Sequence, residues 1–92
     1  MLKHDVYRYI ELRRSMGFKF RIRGSLLRNY VIFAEARGDR FIQTSRAVEW
    51  AGQGPSAPQR YNRLATVRRC ALALHAERAQ HEVPPDDVYG RQ

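Results

Sequence analysis

The sequence predicts a small all-α domain built from four or five helices. Two observations support this prediction: apolar residues recur at intervals of three and four in several segments, and glycine or proline separates those segments. A chain of 92 residues is long enough for one hydrophobic core and too short for a second. We therefore expect a single helical domain over residues 1–82, followed by a linker over residues 83–92.

The longest predicted helix covers Pro58–His81. Its apolar residues Leu64, Val67, Ala71 and Leu74 fall on one side at 100° per residue, so the other helices are expected to pack there. Proline suits the first turn of a helix, where its missing N–H costs nothing, and two consecutive prolines follow the segment. The same helix contains five arginines and one glutamate, which makes its outer surface cationic.

Three further helices are predicted upstream. The first covers Leu2–Met16, the second covers Leu26–Arg37 with Ser25 as its N-cap, and the third covers Ser45–Ala51 with Thr44 as its N-cap. A glycine follows each of the first two segments, as is typical where a helix ends. These assignments leave two connections rich in glycine, one before the second helix and one before the fourth.

The connection Gly17–Gly24 alternates apolar and basic residues. No other segment has the pattern of a strand that could pair with it, so we expect an extended linker with its apolar side on the core. Its cations precede a helix start, where unpaired backbone N–H groups favour phosphate. The apolar residues are Phe18, Phe20 and Ile22, and the basic residues are Lys19, Arg21 and Arg23.

Basic residues clearly exceed acidic ones. There are 17 lysines and arginines against 9 aspartates and glutamates, which gives a net charge of +8. Nearly all the cations are arginine, whose planar guanidinium binds a phosphate or a guanine edge through two hydrogen bonds. Codon usage would account for the choice of arginine over lysine, but not for the positive balance. A polyanion is therefore the expected partner.

Several other classes of function are disfavoured. Cys70, the single cysteine, is expected in the core, and His4, His75 and His81 are expected at the surface without zinc-ligand spacing, so no metal or other cofactor is predicted. No nucleophile elbow or phosphate-binding loop is present, and we expect no enzymatic activity from this chain alone. The sequence has neither a signal-peptide pattern nor a membrane-spanning run, which predicts a cytoplasmic protein without a membrane partner.

The order of these segments carries a family resemblance. The motifs are R-R-S-M-G-F at the end of the first helix, L-L-R-N-Y-V-I-F-A-E-A-R-G in the second, E-W-A in the third and R-Y-N-R-L-A-T-V-R-R-C-A in the fourth. Together they resemble the core-binding domain of the tyrosine recombinases, the phage-integrase family. The most distinctive piece is R-x-N-R-L-x-x-V-R-R, and the resemblance extends through E-V-P-P near the end of the chain.

The resemblance implies a SAM-like bundle that clamps recombination-site DNA opposite a catalytic domain. The implied partners are therefore this DNA, the catalytic domain of the same recombinase and neighbouring recombinase protomers. The family's catalytic residues lie in that other domain, so no residue here inherits their roles, and Tyr89 is not expected to be the nucleophile. The chain would be either a fragment of a longer recombinase of a bacterium, phage or mobile element, associated with the nucleoid, or a shortened product that binds DNA without cleaving it.

Members of the family place the starts of the second and fourth helices against DNA. Carried onto this sequence, those regions are residues 19–28 and 59–69, which the charge and helix-end arguments also select. We expect contacts to phosphates or guanine from three arginines and contacts to base edges or sugars from a polar pair. The three arginines are Arg60, Arg63 and Arg69, and the polar pair is Asn62 and Thr66.

A second set is expected to neutralise the DNA backbone. It consists of Lys19, Arg21, Arg23 and Arg28. Ser25 and Gln59 complete the predicted DNA-binding residues. All of these assignments follow from sequence position and resemblance, and they predict one cationic surface formed by two helix starts.

Two other functions fit the same composition. One is a helical module for protein interaction in a recombination complex, for which Tyr7 and Leu12 lie off the apolar side of the first helix. The other is a small helix-turn-helix regulator. It is disfavoured because the fourth helix is long and the loop before it is too irregular for the tight turn of that motif.

Overall fold

The computed structural model describes residues 1–90, which fold into four α-helices. The helices are α1 (Leu2–Ser15), α2 (Arg21–Glu35), α3 (Thr44–Ala51) and α4 (Ala57–Glu77). Residues 1–90 contain no β-strand. The prediction of an all-α fold with four helices is confirmed. None of the helices in this part of the chain is long and apolar enough to cross a membrane.

The long helix α4 packs against each of the other three helices. Its buried side is the predicted one, because Leu64, Val67, Ala71 and Leu74 are at most 3% exposed. Cys70 is also buried, as expected, and burial raises the pKa of its thiol. The apolar side of α4 therefore forms the centre of the core, and its opposite side faces solvent.

Helix α2 begins five residues before the predicted start at Leu26. Arg21–Gly24 are helical, so the extended linker predicted over Gly17–Gly24 is wrong for its second half. Phe20 takes the N-cap position with a left-handed backbone (φ 56°, ψ 31°) and no side-chain cap. Ser25, predicted as the N-cap, lies inside the helix.

The close approach of α2 to α1 explains this earlier start. Gly24 is buried, and a Cβ at this position would lie 3.6 Å from Cγ2 of Ile10 in α1. Gly24, Leu27 and Val31 therefore share the side of α2 that faces the core, at helical spacing. The glycine that suggested a helix boundary is instead a small residue at a helix crossing. Ile22, predicted to point inward, is exposed.

The remaining helix ends differ from prediction by a few residues. Gln43, one residue before the predicted Thr44, is the N-cap of α3. Ser56 caps α4, since its hydroxyl oxygen accepts a hydrogen bond of 3.3 Å from the Gln59 N–H. Helix α4 ends at Glu77, four residues before the predicted end at His81. The chain then turns back across the helices.

His81 is completely buried, so its predicted surface position is wrong. Its Nδ1 accepts a hydrogen bond of 3.0 Å from the Ile42 N–H, and its Nε2 lies 2.9 Å from Oδ2 of Asp5. This pair of contacts fits a neutral ring whose proton is on Nε2, since one nitrogen must accept and the other donate. The histidine thus joins the first helix to the loop before α3.

The segment after His81 lies on α3. Glu82 donates its N–H to the Ile42 carbonyl oxygen at 2.8 Å, and its Oε1 accepts from the Thr44 N–H at 2.8 Å, which satisfies a free donor at the start of α3. Tyr89 donates its hydroxyl to the Val48 carbonyl oxygen at 2.7 Å. The predicted linker 83–92 therefore contacts the domain through residue 89, and its last two residues lie outside the described part. Its role as a linker stays a prediction.

Asp5 is a buried carboxylate held by opposite charges. Burial by itself would raise the pKa of Asp5, but the hydrogen bond from His81, the N-terminal amine and Arg78 outweigh it. The pKa of Asp5 therefore lies below its usual value of 3.8. A carboxylate whose pKa is lower in the folded than in the unfolded protein stabilises the fold at pH values above its pKa in the unfolded chain. This contribution is lost as the pH falls through the pKa of the folded state.

We predict that Asp5→Asn lowers the free energy of unfolding at pH 7 by about 1–3 kcal/mol, because a buried charge-assisted hydrogen bond is lost. The difference from the wild type should shrink as the pH falls below about 4, where the wild-type carboxylate becomes protonated. Urea denaturation at several pH values measures both effects. Asp86→Asn, a change at an exposed position of the tail, is the matched control. A difference that is equal at all pH values would contradict the account.

Candidate nucleic-acid interface

A groove runs between the start of α2 and the outer side of α4. One part of it is lined by Ile22, Arg23, Leu26, Tyr61, Asn62, Ala65, Thr66 and Arg69. The adjoining part shares three of these residues and is lined by Ile22, Leu26, Pro55, Gln59, Asn62 and Arg63. We call the two parts together the α2–α4 groove. It brings together six of the eleven residues predicted to bind DNA: Arg23, Gln59, Asn62, Arg63, Thr66 and Arg69.

The helical repeat of α4 places its groove residues on one side. Positions 59, 62, 63, 66 and 69 are separated by three or four residues, so they lie above one another along the helix. Apart from Thr66, the buried residues of α4 occupy the adjoining arc, which faces the core. Because the core fixes that arc, the groove side has no freedom to rotate away from α2.

A basic surface continues from the groove across the start of α2. Lys19 and Arg21 lie there with Arg14 and Phe18 around a shallow depression. A neighbouring depression lined by residues 18–23 shares Ile22 and Arg23 with the groove. We call Arg14, Phe18, Lys19 and Arg21 the basic ridge. The ridge and the groove form one continuous face.

This face is strongly cationic, although Arg14 of the ridge lies 3.8 Å from Glu11. The residues that line the groove and the ridge include no aspartate or glutamate. Among residues 1–90, no acidic side chain forms a salt bridge with the cations Lys19, Arg21, Arg23, Arg63 and Arg69. Arginines elsewhere on the protein do form salt bridges with acidic side chains, as Arg46 does with Asp39 at 2.7 Å. A face of this kind attracts a polyanion.

Three predicted residues lie outside both the groove and the basic ridge. The Arg28 guanidinium stands over the Tyr7 ring of α1, 5.7 Å from its centroid. Arg60 donates from Nη1 to the Gly54 carbonyl oxygen at 3.0 Å, which closes the loop before α4. Ser25 is exposed but does not line the groove. The structure therefore does not bring these side chains to the face that the other eight share.

Thr66 forms part of the floor of the groove. It is 5% exposed, and its hydroxyl donates to the Asn62 carbonyl oxygen one turn earlier at 2.8 Å. The hydroxyl hydrogen is thus bonded to the helix backbone, and only the oxygen lone pairs can accept from a ligand. Asn62, by contrast, is exposed at the rim with its amide free for contacts.

Arg63 is positioned by a chain of contacts that sequence reasoning missed. Its Cζ lies 5.0 Å from the Trp50 ring centroid, and its Nη1 approaches the Trp50 carbonyl oxygen at 3.5 Å. Trp50 is 1% exposed, and its Nε1 donates to Oδ1 of Asn29 at 2.8 Å. A buried tryptophan needs a hydrogen-bond acceptor for its N–H. This requirement is the signal from which a partner such as Asn29 could have been predicted.

Residues 1–90 contain no group of three histidine, cysteine or acidic side chains that could hold a metal ion. The most enclosed polar clusters are the Asp5–His81 pair and the Arg46–Asp39 pair. Hydrogen bonds within the fold hold both, although Oδ1 of Asp5 has no hydrogen-bond partner within residues 1–90. The functional surface is therefore sought among the cations of the groove and the ridge.

Comparison with known proteins agrees with the predicted resemblance. The chain is 37% identical over 89 residues to a protein of Sinorhizobium fredii (strain NBRC 101917 / NGR234) described as "Putative integrase/recombinase y4rB". The alignment covers 94% of this chain and 28% of that relative, so the chain spans less than a third of the relative's length. No family model and no solved structure matches the chain. The resemblance to integrases is confirmed.

We predict that Asn29→Ala lowers the free energy of unfolding by about 1–2 kcal/mol, because the Trp50 N–H loses its acceptor. Asn29→Asp keeps an acceptor at the same place and should leave stability within about 0.5 kcal/mol of the wild type. Urea denaturation followed by the fluorescence of the single tryptophan measures both variants. Equal destabilisation by the two substitutions would show that the hydrogen bond is not the cause.

Proposed function

We propose that the chain binds double-stranded DNA through the α2–α4 groove and the basic ridge, as the DNA-gripping domain of an integrase/recombinase. One observation carries this proposal: five cations from the start of α2 and the outer side of α4 converge on a single face whose lining includes no acidic residue. The similar protein of Sinorhizobium fredii is described as an integrase/recombinase, and we infer the same setting, DNA integration and recombination, for this chain.

The chemistry of the face suits duplex DNA better than an unstructured polyanion. Cations that neutralise phosphates flank the amides of Gln59 and Asn62, and amides can hydrogen-bond to adenine edges in the major groove. The start of α2 adds backbone N–H groups that no side chain caps, close to Lys19 and Arg21. The face thus offers both positioning contacts and base-reading contacts.

The cations divide into two roles by their surroundings. Lys19, Arg21, Arg23 and Arg69 are exposed, and we assign them to phosphates. Arg63 is partly buried and held by Trp50, so its guanidinium has less freedom. A preorganised arginine loses less entropy on binding, which suits a guanine contact.

Cleavage and strand exchange are proposed to reside outside this chain. The sequence shows no catalytic constellation, and the chain corresponds to 28% of the length of its relative. The proposed partners are therefore recombination-site DNA, a catalytic domain and neighbouring recombinase protomers. With DNA as its partner, the domain would act in the cytoplasm at the nucleoid.

A role in protein interaction is a second candidate for a different surface. Leu12 and Met16 lie one turn apart at the end of α1 and are 55% and 60% exposed. Such a pair could contact a neighbouring protomer while the groove holds DNA. This candidate concerns α1 and leaves the assignment of the groove unchanged.

Binding to a duplex should depend steeply on salt. With four cations on phosphates, we predict that log affinity falls against log salt with a slope of roughly −3 to −4. Arg69→Ala should weaken binding and reduce the steepness of the slope by about 1, because one phosphate contact is lost. Fluorescence anisotropy with a labelled duplex at several salt concentrations measures both quantities.

Arg40→Ala removes the same charge from an exposed site that does not line the groove or the ridge. It should leave the slope nearly unchanged. The comparison therefore distinguishes the loss of a local phosphate contact from a general effect of lower net charge. A flat salt dependence of the wild type would refute DNA binding. Equal effects of the two substitutions would refute the assignment of the groove.

A further inference from the structure

Ile22 is an apolar side chain in the middle of the cationic face. It is 79% exposed, more than any other large hydrophobic residue among residues 1–90. A single exposed isoleucine needs no explanation, but the location of this one is informative. Ile22 lines both parts of the α2–α4 groove as well as the depression beside the basic ridge. It therefore stands where the three surfaces meet.

The apolar side of α2 leads from the core to this point. Leu26, one turn after Ile22, is partly buried and packs against the core. Ile22 lies on the same side of α2 but beyond the core. Its sequence neighbours are Arg21 and Arg23, and Asn62 lines the groove with it. A ligand that covers Ile22 must make a hydrophobic contact with this side chain and must also neutralise several positive charges around it.

Duplex DNA has one apolar group that is reached from a face of this kind. The C5-methyl of thymine projects into the major groove, while the phosphates that bind cations flank that groove. We propose that Ile22 contacts a thymine methyl and makes the domain selective for thymine at one position of its site. This inference rests on the proposed DNA binding and adds a residue that determines specificity.

A protein partner fits the same location less well. To cover Ile22 it would also have to cover Lys19, Arg21 and Arg23, and each would need a carboxylate to compensate for lost water. DNA supplies phosphates at regular spacing beside its methyl groups, so charge and apolar contact are satisfied by one ligand. The charge complementarity of the face therefore selects a duplex.

The test begins with selection from a pool of randomised 30-base-pair duplexes, followed by resynthesis of the enriched duplex. Each thymine is then replaced singly by deoxyuridine, which lacks only the methyl group. Affinity for every duplex is measured with the wild type, with Ile22→Ala and with Ile32→Ala. Ile32 is the matched control, because it is 66% exposed on the same helix and does not line the groove.

At one position, deoxyuridine should lower the affinity of the wild type and of Ile32→Ala about threefold to fivefold, the value of one buried methyl group. Ile22→Ala should bind the thymine duplex at least that much more weakly and should not respond to deoxyuridine there. Alanine favours the helix, so loss of fold is not expected at this exposed position.

Two results would overturn the inference while leaving DNA binding intact. One is that the wild type tolerates deoxyuridine at every position or enriches no sequence. The other is that Ile22→Ala keeps the full response to the methyl group. The absence of salt-dependent binding to any duplex would instead refute the proposed function itself, so the two failures are distinguishable.

Discussion

The packing of α4 in the core is the constraint on which the rest of the structure depends. Leu64, Val67, Ala71 and Leu74 are buried among three other helices, and this fixes the rotation of α4 about its axis. The side of α4 that carries Gln59, Asn62, Arg63, Thr66 and Arg69 must therefore lie beside α2. The cationic groove is a direct consequence of how the core is packed, and no loop has to be ordered for the α4 part to form.

The second constraint is the crossing of α1 and α2. At Gly24, α2 passes close to Ile10 of α1, and the helix extends one further turn toward its N-terminus. That turn contains Ile22 and Arg23, which face the outer side of α4. Phe20 accepts a left-handed backbone to begin the helix, and its ring packs edge-on against Tyr9 at 6.0 Å. The additional turn of α2 thus lengthens the binding face.

Much of this fold could be predicted from sequence, because long amphipathic segments such as α4 repeat the helical period many times. The first turn of α2 could not, since four alternating residues beside a glycine also fit an extended chain. His81 was assigned to the surface because its partner Asp5 is 76 residues away in sequence. For the site, charge identified the two regions. The direction of Arg28 depends on the crossing of α1 and α2, and that of Arg60 on the conformation of the loop before α4, and neither could be read from a local pattern.

The central claim is that one face, formed by the starts of α2 and α4, holds the duplex. Amide chemical shifts of the ¹⁵N-labelled chain, recorded during titration with a duplex at low salt, test it most directly. The account predicts that the largest shifts lie in residues 19–26 and 59–69, while the exposed end of α1 around Leu12 changes little. Shifts concentrated on α1 or α3, with the groove unaffected, would contradict it.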